Sequence, residues 1–86
     1  MGGLDRERDQ VLEQVIEVVE KTLKVKDIDE DTYMQDDLHI ESLDFYSLLA
    51  NLEKQFRIRI PERVLAEVET VGDIVDEVMN IQSKKG

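Results

Sequence analysis

The segment Asp37–Phe45 holds the residues best suited to chemistry, because it places Ser42 between an acidic and an apolar neighbour, Glu41 and Leu43. An acidic, irregular stretch meets an apolar-periodic stretch at this serine, which predicts that Ser42 lies at the start of a helix. Its hydroxyl would face solvent beside backbone N–H groups that have no carbonyl partner and beside the positive end of the helix dipole. Such a position suits a phosphate ester. We therefore interpret Ser42 as an attachment point for a prosthetic group rather than as a catalytic nucleophile.

A hydrolase is the first alternative for the same segment. His39, Ser42 and Asp44 supply the three residue types of a Ser-His-Asp triad. A triad is assembled in space together with an oxyanion hole and a substrate cleft. Three residues so close together at a loop–helix junction seldom point at one another, so we expect no catalytic residues and no enzyme activity here.

A calcium site is the second alternative, because Asp27, Asp29 and Asp31 follow the spacing of the first ligands of an EF-hand loop. The pattern fails where the geometry of calcium binding is strictest. Thr32 replaces the glycine of the sharp turn, and Leu38 replaces the bidentate glutamate that closes the loop. We therefore expect no specific metal site, only weak binding of divalent cations to a dense acidic surface.

The composition indicates one small domain with an aliphatic core. The chain has 86 residues, of which 41% are hydrophobic, with two Tyr, two Phe and no Trp. It has no cysteine, which excludes disulfides, thiolate metal sites and cysteine nucleophiles. No apolar run is long enough for a membrane span or a signal peptide, and we expect a cytoplasmic protein.

The charge is strongly negative and unevenly distributed. The formal net charge is −10, from 21 acidic and 11 basic residues. Residues 27–53 hold nine acidic residues and no Lys or Arg, whereas residues 54–63 hold Lys54, Arg57, Arg59 and Arg63 against Glu62 alone. An acidic surface repels nucleic acid and anionic membranes and attracts basic protein partners. The alternative is that the excess of acidic residues only keeps a small protein soluble, and net charge alone does not separate the two interpretations.

Apolar residues at helical spacing predict three main helices and one short helix. Helix 1 is predicted at about 6–24, a short helix follows Pro61 at about 62–68, and Thr70–Asp73 has the spacing of a capping box that opens the last helix. Arg57–Ile60 alternates like a strand but has no partner strand, so we predict an extended connector. The stripes comprise Leu12, Val15, Ile16, Val19 and Leu23; Phe45, Leu48, Leu49, Leu52 and Phe56; Val64, Leu65 and Val68; and Val71, Ile74, Val75, Val78 and Ile81.

The predicted fold is therefore all-α, a four-helix bundle with three main helices, one short helix and a long first loop. Apolar residues within that loop, Ile28, Tyr33, Met34, Leu38 and Ile40, are expected to pin it across the bundle. We predict a single monomeric domain over residues 1–86, ordered over about 6–81, with frayed ends at Met1–Asp5 and Gln82–Gly86.

Three blocks of this sequence resemble the acyl carrier protein family. Residues 37–44, Asp-Leu-His-Ile-Glu-Ser-Leu-Asp, are similar to its Asp-Leu-Gly-x-Asp-Ser-Leu motif. Residues 56–62, Phe-Arg-Ile-Arg-Ile-Pro-Glu, are similar to its Phe-x-Ile-x-Ile-Pro-Asp segment, and residues 70–75, Thr-Val-Gly-Asp-Ile-Val, to its Thr-Val-x-Asp helix start. The three blocks stand in the family's order and spacing, so the resemblance spans about residues 6–81.

The resemblance implies a bacterial acyl carrier protein in fatty acid, related lipid or polyketide synthesis. A phosphopantetheinyl transferase would attach 4′-phosphopantetheine from coenzyme A to Ser42, and the thiol of this arm would hold acyl groups as thioesters. The working sulfur would thus be imported into a chain without cysteine. Acyl-transfer and synthase enzymes with basic docking surfaces would be the other partners.

The resemblance also implies roles for neighbouring residues. Glu41, Leu43, Asp44 and Tyr46 would meet the partner enzymes, with Leu43 packed beneath Ser42. The acyl chain would lie between the second helix and the short helix, among residues such as Leu48, Leu52 and Val64. The alternative for those three residues is an ordinary core position.

Two positions depart from the family motif, since Glu41 replaces its aspartate and His39 its glycine. Helix 2 also carries fewer acidic residues than carriers of fatty acid synthesis typically do. These departures leave two interpretations open, the housekeeping carrier and a specialised carrier with its own partners. An aminoacyl carrier, such as a D-alanyl carrier, or a peptidyl carrier is the alternative within the class. A non-carrier alternative is an acidic protein-interaction module whose Ser42 is never modified.

Overall fold

The computed structural model describes the backbone of residues 2–85 and the side chains of residues 7–84. Residues 24–41 form a long irregular connection between the first two helices. Within residues 2–85 the chain forms four α-helices, α1 (Gly2–Leu23), α2 (Ser42–Phe56), α3 (Glu62–Glu67) and α4 (Val71–Lys85). The predicted all-α class, with three main helices, one short helix and a long first loop, is confirmed.

The helix ends differ slightly from the predicted ones. Helix α1 begins at Gly2, four residues before the predicted start, and α4 continues to Lys85. Helix α3 ends at Glu67, one residue early. Met1 and Gly86 lie outside the described residues. Fraying of the ends stays a prediction, as does the monomeric state.

The core lies between α1, α2 and α4, since α1 packs against both of the other long helices. It is aliphatic, as the composition predicted, and Val18 joins it although the predicted stripe of α1 omitted that residue. The buried residues are Val15, Val18 and Val19 of α1, Leu48 and Leu52 of α2, Leu65 of α3, Val71, Ile74, Val75 and Val78 of α4, and Met34, Ile58 and Ile60 of the connections.

The first connection is held to the junction of α3 and α4 by backbone hydrogen bonds. The N–H of Met34 donates to the carbonyl of Glu69 at 2.8 Å, and the N–H of Val71 donates to the carbonyl of Thr32 at 3.0 Å. Met34 is only 4% exposed and anchors the connection in the core, whereas Tyr33 is 46% exposed. The expected pinning of this loop is therefore confirmed for Met34 and for Ile28, Leu38 and Ile40, which pack against the core. Tyr33 contributes through its backbone, which bridges to Thr70, and not through its exposed side chain.

Gly72 allows the connection to come this close to α4. Its N–H donates to the carbonyl of Glu30 at 2.9 Å, and a Cβ added at Gly72 would lie 3.1 Å from the same carbonyl oxygen. A larger residue would push the two backbones apart. The first N–H groups of α4, which lack intrahelical partners, thus find acceptors in the connection.

Of the predicted connector Arg57–Ile60, residues 58–60 form neither a helix nor a strand, whereas Arg57 ends α2 in a left-handed conformation with φ 56° and is not extended. The side chains of Ile58 and Ile60 enter the core. The carbonyl of Pro61 then accepts the N–H of Val64 at 3.0 Å and starts α3. None of the helices within residues 2–85 has both the length and the apolar character of a membrane span.

The capping box predicted at the start of α4 is present. One carboxylate oxygen of Asp73, Oδ2, accepts the N–H groups of Glu69 at 3.0 Å and of Thr70 at 3.2 Å. In return, the N–H of Asp73 donates to the hydroxyl of Thr70 at 3.2 Å. This reciprocal arrangement fixes the turn on which the first connection rests.

We expect the Asp73→Ala variant to unfold more easily, because two backbone N–H groups lose their acceptor. The expected loss is about 1 kcal/mol, within the roughly 0.5–2 kcal/mol of a helix cap, or about 4–8 °C in Tm for a domain of this size. Asp76→Ala is the matched control, because Asp76 on the same helix makes only an exposed ion pair with Arg8 at 3.4 Å. Thermal unfolding followed by circular dichroism measures both, and equal shifts would contradict the capping role.

Candidate functional site

Ser42 is the first residue of α2 and is exposed to solvent. Glu41 is the N-cap, with extended backbone angles of φ −101° and ψ 172°, and its side chain makes no capping hydrogen bond. The first hydrogen bond of the helix runs from the N–H of Phe45 to the carbonyl of Glu41 at 2.8 Å. The N–H groups of residues 42–44 therefore have no carbonyl acceptor within the helix. No hydrogen bond engages the Ser42 hydroxyl within the described part of the chain.

The position of Ser42 follows from the turns that precede it. The carbonyl of Tyr33 accepts the N–H groups of Asp37 at 3.1 Å and of Leu38 at 3.2 Å, and the N–H of His39 donates to the carbonyl of Gln35 at 3.1 Å. His39 then adopts a left-handed conformation with φ 51°. This residue reverses the chain direction, so that α2 begins at the surface.

Leu43 projects into solvent. Its side chain is 82% exposed, the largest value among the exposed hydrophobic residues, so the expectation that Leu43 packs beneath Ser42 is wrong. Buried Leu48 and Leu52 set the inward face of α2, and a residue at position 43 falls on the opposite side of the helix. An exposed leucine beside an exposed serine is a suitable contact for another protein.

Tyr46 lies one helical turn after Ser42 and is 54% exposed. Its ring packs edge-on against Phe45, with ring centroids 5.3 Å apart. Hydrogen bonding to the Glu62 carboxylate, together with the negative charge of that group, raises the pKa of Tyr46 above its usual value. Tyr46 thus connects α2 to α3 at the protein surface.

An open groove of about 380 Å³ runs from Ser42 towards α3. It is lined by Gln35, Ile40, Glu41, Ser42, Phe45, Tyr46, Glu62 and Ala66. The charged groups in this lining are the two carboxylates, Glu41 and Glu62. The neighbourhood of Ser42 is therefore acidic on both sides of the groove.

A small cavity of about 60 Å³ adjoins this groove between α2, α3 and the first connection. The two share Gln35, Ile40, Phe45 and Ala66, and the cavity continues inward to Met34, Leu48, Leu65 and Val68. Of the residues predicted to line an acyl pocket, the structure places Leu48 in this cavity. Leu52 lies fully buried deeper in the core, and Val64 packs against the core outside the cavity lining.

Sequence analysis did not assign to a pocket the four residues that line both the groove and the cavity, Gln35, Ile40, Phe45 and Ala66. Ala66 had a readable signal, since a small residue on a short helix leaves room against a neighbouring helix. Phe45 was assigned to the inward stripe of α2, and it is half-buried at the edge of that stripe. Gln35 carried no signal, because its place depends on how the connection is folded.

The residues proposed for a hydrolase are not assembled. Hydrogen bonds join neither His39 nor Asp44 to Ser42 among the side chains of residues 7–84. Asp44 lies in the first turn of α2, where its negative charge interacts favourably with the positive end of the helix dipole. These three residues therefore occupy a loop and the first turn of a helix without forming the hydrogen bonds of a catalytic triad.

Of the acidic residues considered for calcium, Asp29 accepts a hydrogen bond from the backbone of the connection, and the nearby Asp37 does the same. A carboxylate oxygen of Asp29 accepts the N–H of Asp31 at 2.9 Å, and one of Asp37 accepts the N–H of Tyr33 at 2.8 Å. In the part of the chain with described side chains, no three His, Cys, Asp or Glu residues are grouped so that they could hold a metal ion.

Comparison with known proteins agrees with this geometry. A family model described as the phosphopantetheine attachment site matches residues 13–78. The chain is 37% identical over 82 residues to the acyl carrier protein of Borreliella burgdorferi, covering 93% of this chain and 99% of that protein. It is 36% identical over 77 residues to the mitochondrial acyl carrier protein of Saccharomyces cerevisiae, covering 83% of this chain but 62% of that relative's length.

The fold has a solved counterpart. The helices superpose on a chain from Mycobacterium tuberculosis described as a candidate acyl carrier protein, with a TM-score of 0.75 and 28% identity. The match covers 81% of this chain and 96% of that chain.

The left-handed backbone of His39 generates a prediction about stability. A side chain with a Cβ in this region costs about 1–2 kcal/mol, whereas glycine adopts the conformation freely at an entropic cost of about 0.5–1 kcal/mol. We expect His39→Gly to stabilise the protein by about 0.5–1 kcal/mol. The control is His39→Ala, which removes the imidazole but keeps the Cβ. Urea unfolding measures both variants, and a glycine variant no more stable than the alanine variant would show that the turn is unstrained.

Proposed function

Because this chain belongs to the acyl carrier protein family and carries covalently attached 4′-phosphopantetheine, we propose that Ser42 is the attachment residue and that the arm holds acyl groups as thioesters. The observation that carries this proposal is the exposed, unbonded hydroxyl of Ser42 in the first turn of α2. Proteins of this family are carriers, and the chemistry is performed by their partner enzymes.

The chain offers three serines, and their surroundings differ. Ser47 lies within α2, where its own N–H and those of its neighbours are used by the helical ladder, and Ser83 lies near the end of α4. Ser42 alone of the three stands at a helix start, where free N–H groups can donate to a phosphate. Residues 13–78, the match to the attachment model, include Ser42 and exclude Ser83.

The attachment reaction needs an accessible oxygen and room for the arm. The Ser42 oxygen forms a new bond to phosphorus, the pyrophosphate link of coenzyme A breaks, 3′,5′-ADP leaves, and the hydroxyl proton passes to a base on the transferase. The open groove of about 380 Å³ beside Ser42 leaves the space next to the hydroxyl accessible to the arm. The residues present therefore fit the group.

Two electrostatic effects oppose each other at this phosphodiester. The helix dipole favours an anion by about 0.3–1 kcal/mol, and exposed carboxylates beside the groove disfavour it. Glu41 and Glu62 supply that repulsion. The arm is consequently not fixed against the surface and can leave it to enter a partner enzyme.

The cavity between α2 and α3 is the place we propose for the acyl chain. Its volume of about 60 Å³ admits only a few carbon atoms of an acyl chain. Phe45 and Ala66 line both the cavity and the groove and so connect the two. Of the originally predicted pocket residues, Leu48 is the one that belongs to this proposal. Leu52 and Val64 would be reached only if α2 and α3 separated.

The proposed docking surface comprises Glu41, Leu43, Asp44 and Tyr46. Leu43 supplies an exposed apolar anchor, and the surrounding carboxylates would steer basic surfaces of the transferase, of acyl-transfer enzymes and of synthases towards it. Relatives named acyl carrier proteins support the acyl class over aminoacyl or peptidyl carriers. Fatty acid or related lipid synthesis is the pathway we propose, with the cytoplasm as its compartment.

We expect the apo-protein, incubated with coenzyme A, Mg²⁺ and a broad-specificity phosphopantetheinyl transferase, to gain the mass of one phosphopantetheinyl group. Ser42→Ala should gain none, because the acceptor oxygen is removed. Ser47→Ala is the matched control on the same helix and should be modified normally. Intact-mass spectrometry reads all three. Modification of the Ser42→Ala protein would place the arm elsewhere, and an unmodified wild-type chain would favour the interaction-module alternative.

A second expectation concerns the acyl chain. Loading with an octanoyl thioester should stabilise the protein by about 2 kcal/mol, if two or three methylenes are buried at about 0.8 kcal/mol each. Ala66→Phe should reduce this gain by filling the entrance, whereas Ala50→Phe, at an exposed position of α2 outside the cavity, should not. Comparing Tm of loaded and unloaded forms measures the gain, and equal gains in both variants would exclude this cavity.

A further inference from the structure

Two grooves meet at the carboxyl end of α2, the end opposite Ser42. One has a volume of about 500 Å³, lies between α1 and α2, and is lined by Val18, Lys21, Thr22, Asn51, Lys54, Gln55 and Arg57. The other has a volume of about 550 Å³, lies between the end of α2 and α4, and is lined by Glu53, Arg57, Ile58, Arg59, Ile81 and Lys84. Arg57 lines both. We call Lys21, Lys54, Arg57, Arg59 and Lys84 the basic end.

The basic end concentrates positive charge on an acidic protein. It holds five of the chain's 11 Lys and Arg residues, and Glu53 is the only acidic residue in the two linings. The carboxylate of Glu53 is already engaged, since it accepts the N–H of Ile60 at 2.7 Å. Among the side chains of residues 7–84, ion pairs involve Arg8, whereas Lys54, Arg59 and Lys84 have none.

The grooves are built on fixed elements. The amide of Asn51 donates to the hydroxyl of Thr22 at 2.8 Å and joins α1 to α2 in the floor of the first groove. In the second groove, Ile58 is 9% exposed and Ile81 is half-buried, which gives an apolar floor. An apolar centre with a charged rim is the usual anatomy of a protein interface.

We propose that the basic end binds an acidic segment of a partner protein while Ser42 stays accessible. The two ends of α2 are about 21 Å apart, from the rise of 1.5 Å per residue, which exceeds the screening length of about 8 Å at physiological salt. A partner held at the basic end would therefore feel the local cations more than the acids around Ser42. The proposal does not depend on modification of Ser42.

Charge also favours an acidic protein segment over three other possible ligands of the basic end: a membrane, a nucleic acid and a second copy of this chain. A membrane or a nucleic acid presents an extended negative surface, which would meet the acidic residues of this chain as well as the basic end. A second copy brings a net charge of −10 of its own and is repelled at a distance. A short acidic segment with apolar residues contacts the cations and the isoleucine floor alone.

The probe for this proposal is a fluorescein-labelled helical peptide of about 14 residues with glutamates on one face and leucines on the other. Fluorescence anisotropy should show that it binds the wild-type protein, and that binding weakens between about 50 and about 300 mM NaCl. Arg59→Glu should weaken binding about five- to tenfold, because one attraction becomes a repulsion. Arg63→Glu makes the same charge change at an exposed position outside both grooves, so it should alter affinity less than about twofold.

Other results would overturn the proposal. The first is that the wild-type protein does not bind the peptide, and the second is that Arg59→Glu and Arg63→Glu lose equal affinity for it. The third is that Arg59→Glu leaves peptide binding unchanged but abolishes binding to phosphatidylglycerol vesicles or to a DNA duplex. A dimer that sedimentation velocity detects and that Arg59→Glu dissociates would assign the surface to a second copy. Circular dichroism verifies that the variants are folded. Ser42→Ala should bind the peptide like the wild-type protein, so the outcome is separate from that of the attachment test.

Discussion

The hydrogen bonds between the first connection and the α3–α4 junction are the constraint on which the remaining structure depends. A connection over residues 24–41 has no helix or strand of its own to hold it. Its carbonyls at Glu30 and Thr32 instead accept the first N–H groups of α4, and the N–H of Met34 returns to Glu69. This exchange satisfies backbone groups that a helix start leaves without partners. It also fixes the path that brings Ser42 to the surface.

The helices themselves were predictable from local pattern, because the apolar stripes, the proline before α3 and the capping box act over a few residues. Ser42 at the start of α2 was predictable for the same reason. The exposure of Leu43 was not, since apolar residues are normally assigned to the interior and only the orientation of α2 in the bundle turns this one outward. The cavity lining was also missed in part. Its walls come from α2, α3 and the connection, and their relative placement is set by long-range packing that no local pattern encodes.

His39 illustrates a different gap between sequence and structure. The resemblance identified this position as one where relatives carry glycine, but it did not give the reason. The reason is the left-handed backbone with φ 51°, which glycine adopts without steric cost. The chain retains the turn despite the histidine because the surrounding hydrogen bonds of Gln35 and Tyr33 hold it. Replacing the family's glycine with His39 thus strains the backbone locally and does not change the fold.

The separation of charge along α2 gives the molecule an electric dipole moment in addition to its net charge. Acidic groups surround Ser42 at one end of the helix, and Arg57, Arg59 and Lys84 lie at the other. In the field of a basic enzyme, net charge produces attraction, whereas a dipole produces a torque that rotates the protein before contact. Such rotation shortens the orientational search that limits most protein association rates. The carrier would therefore reach a basic enzyme with its serine end already leading.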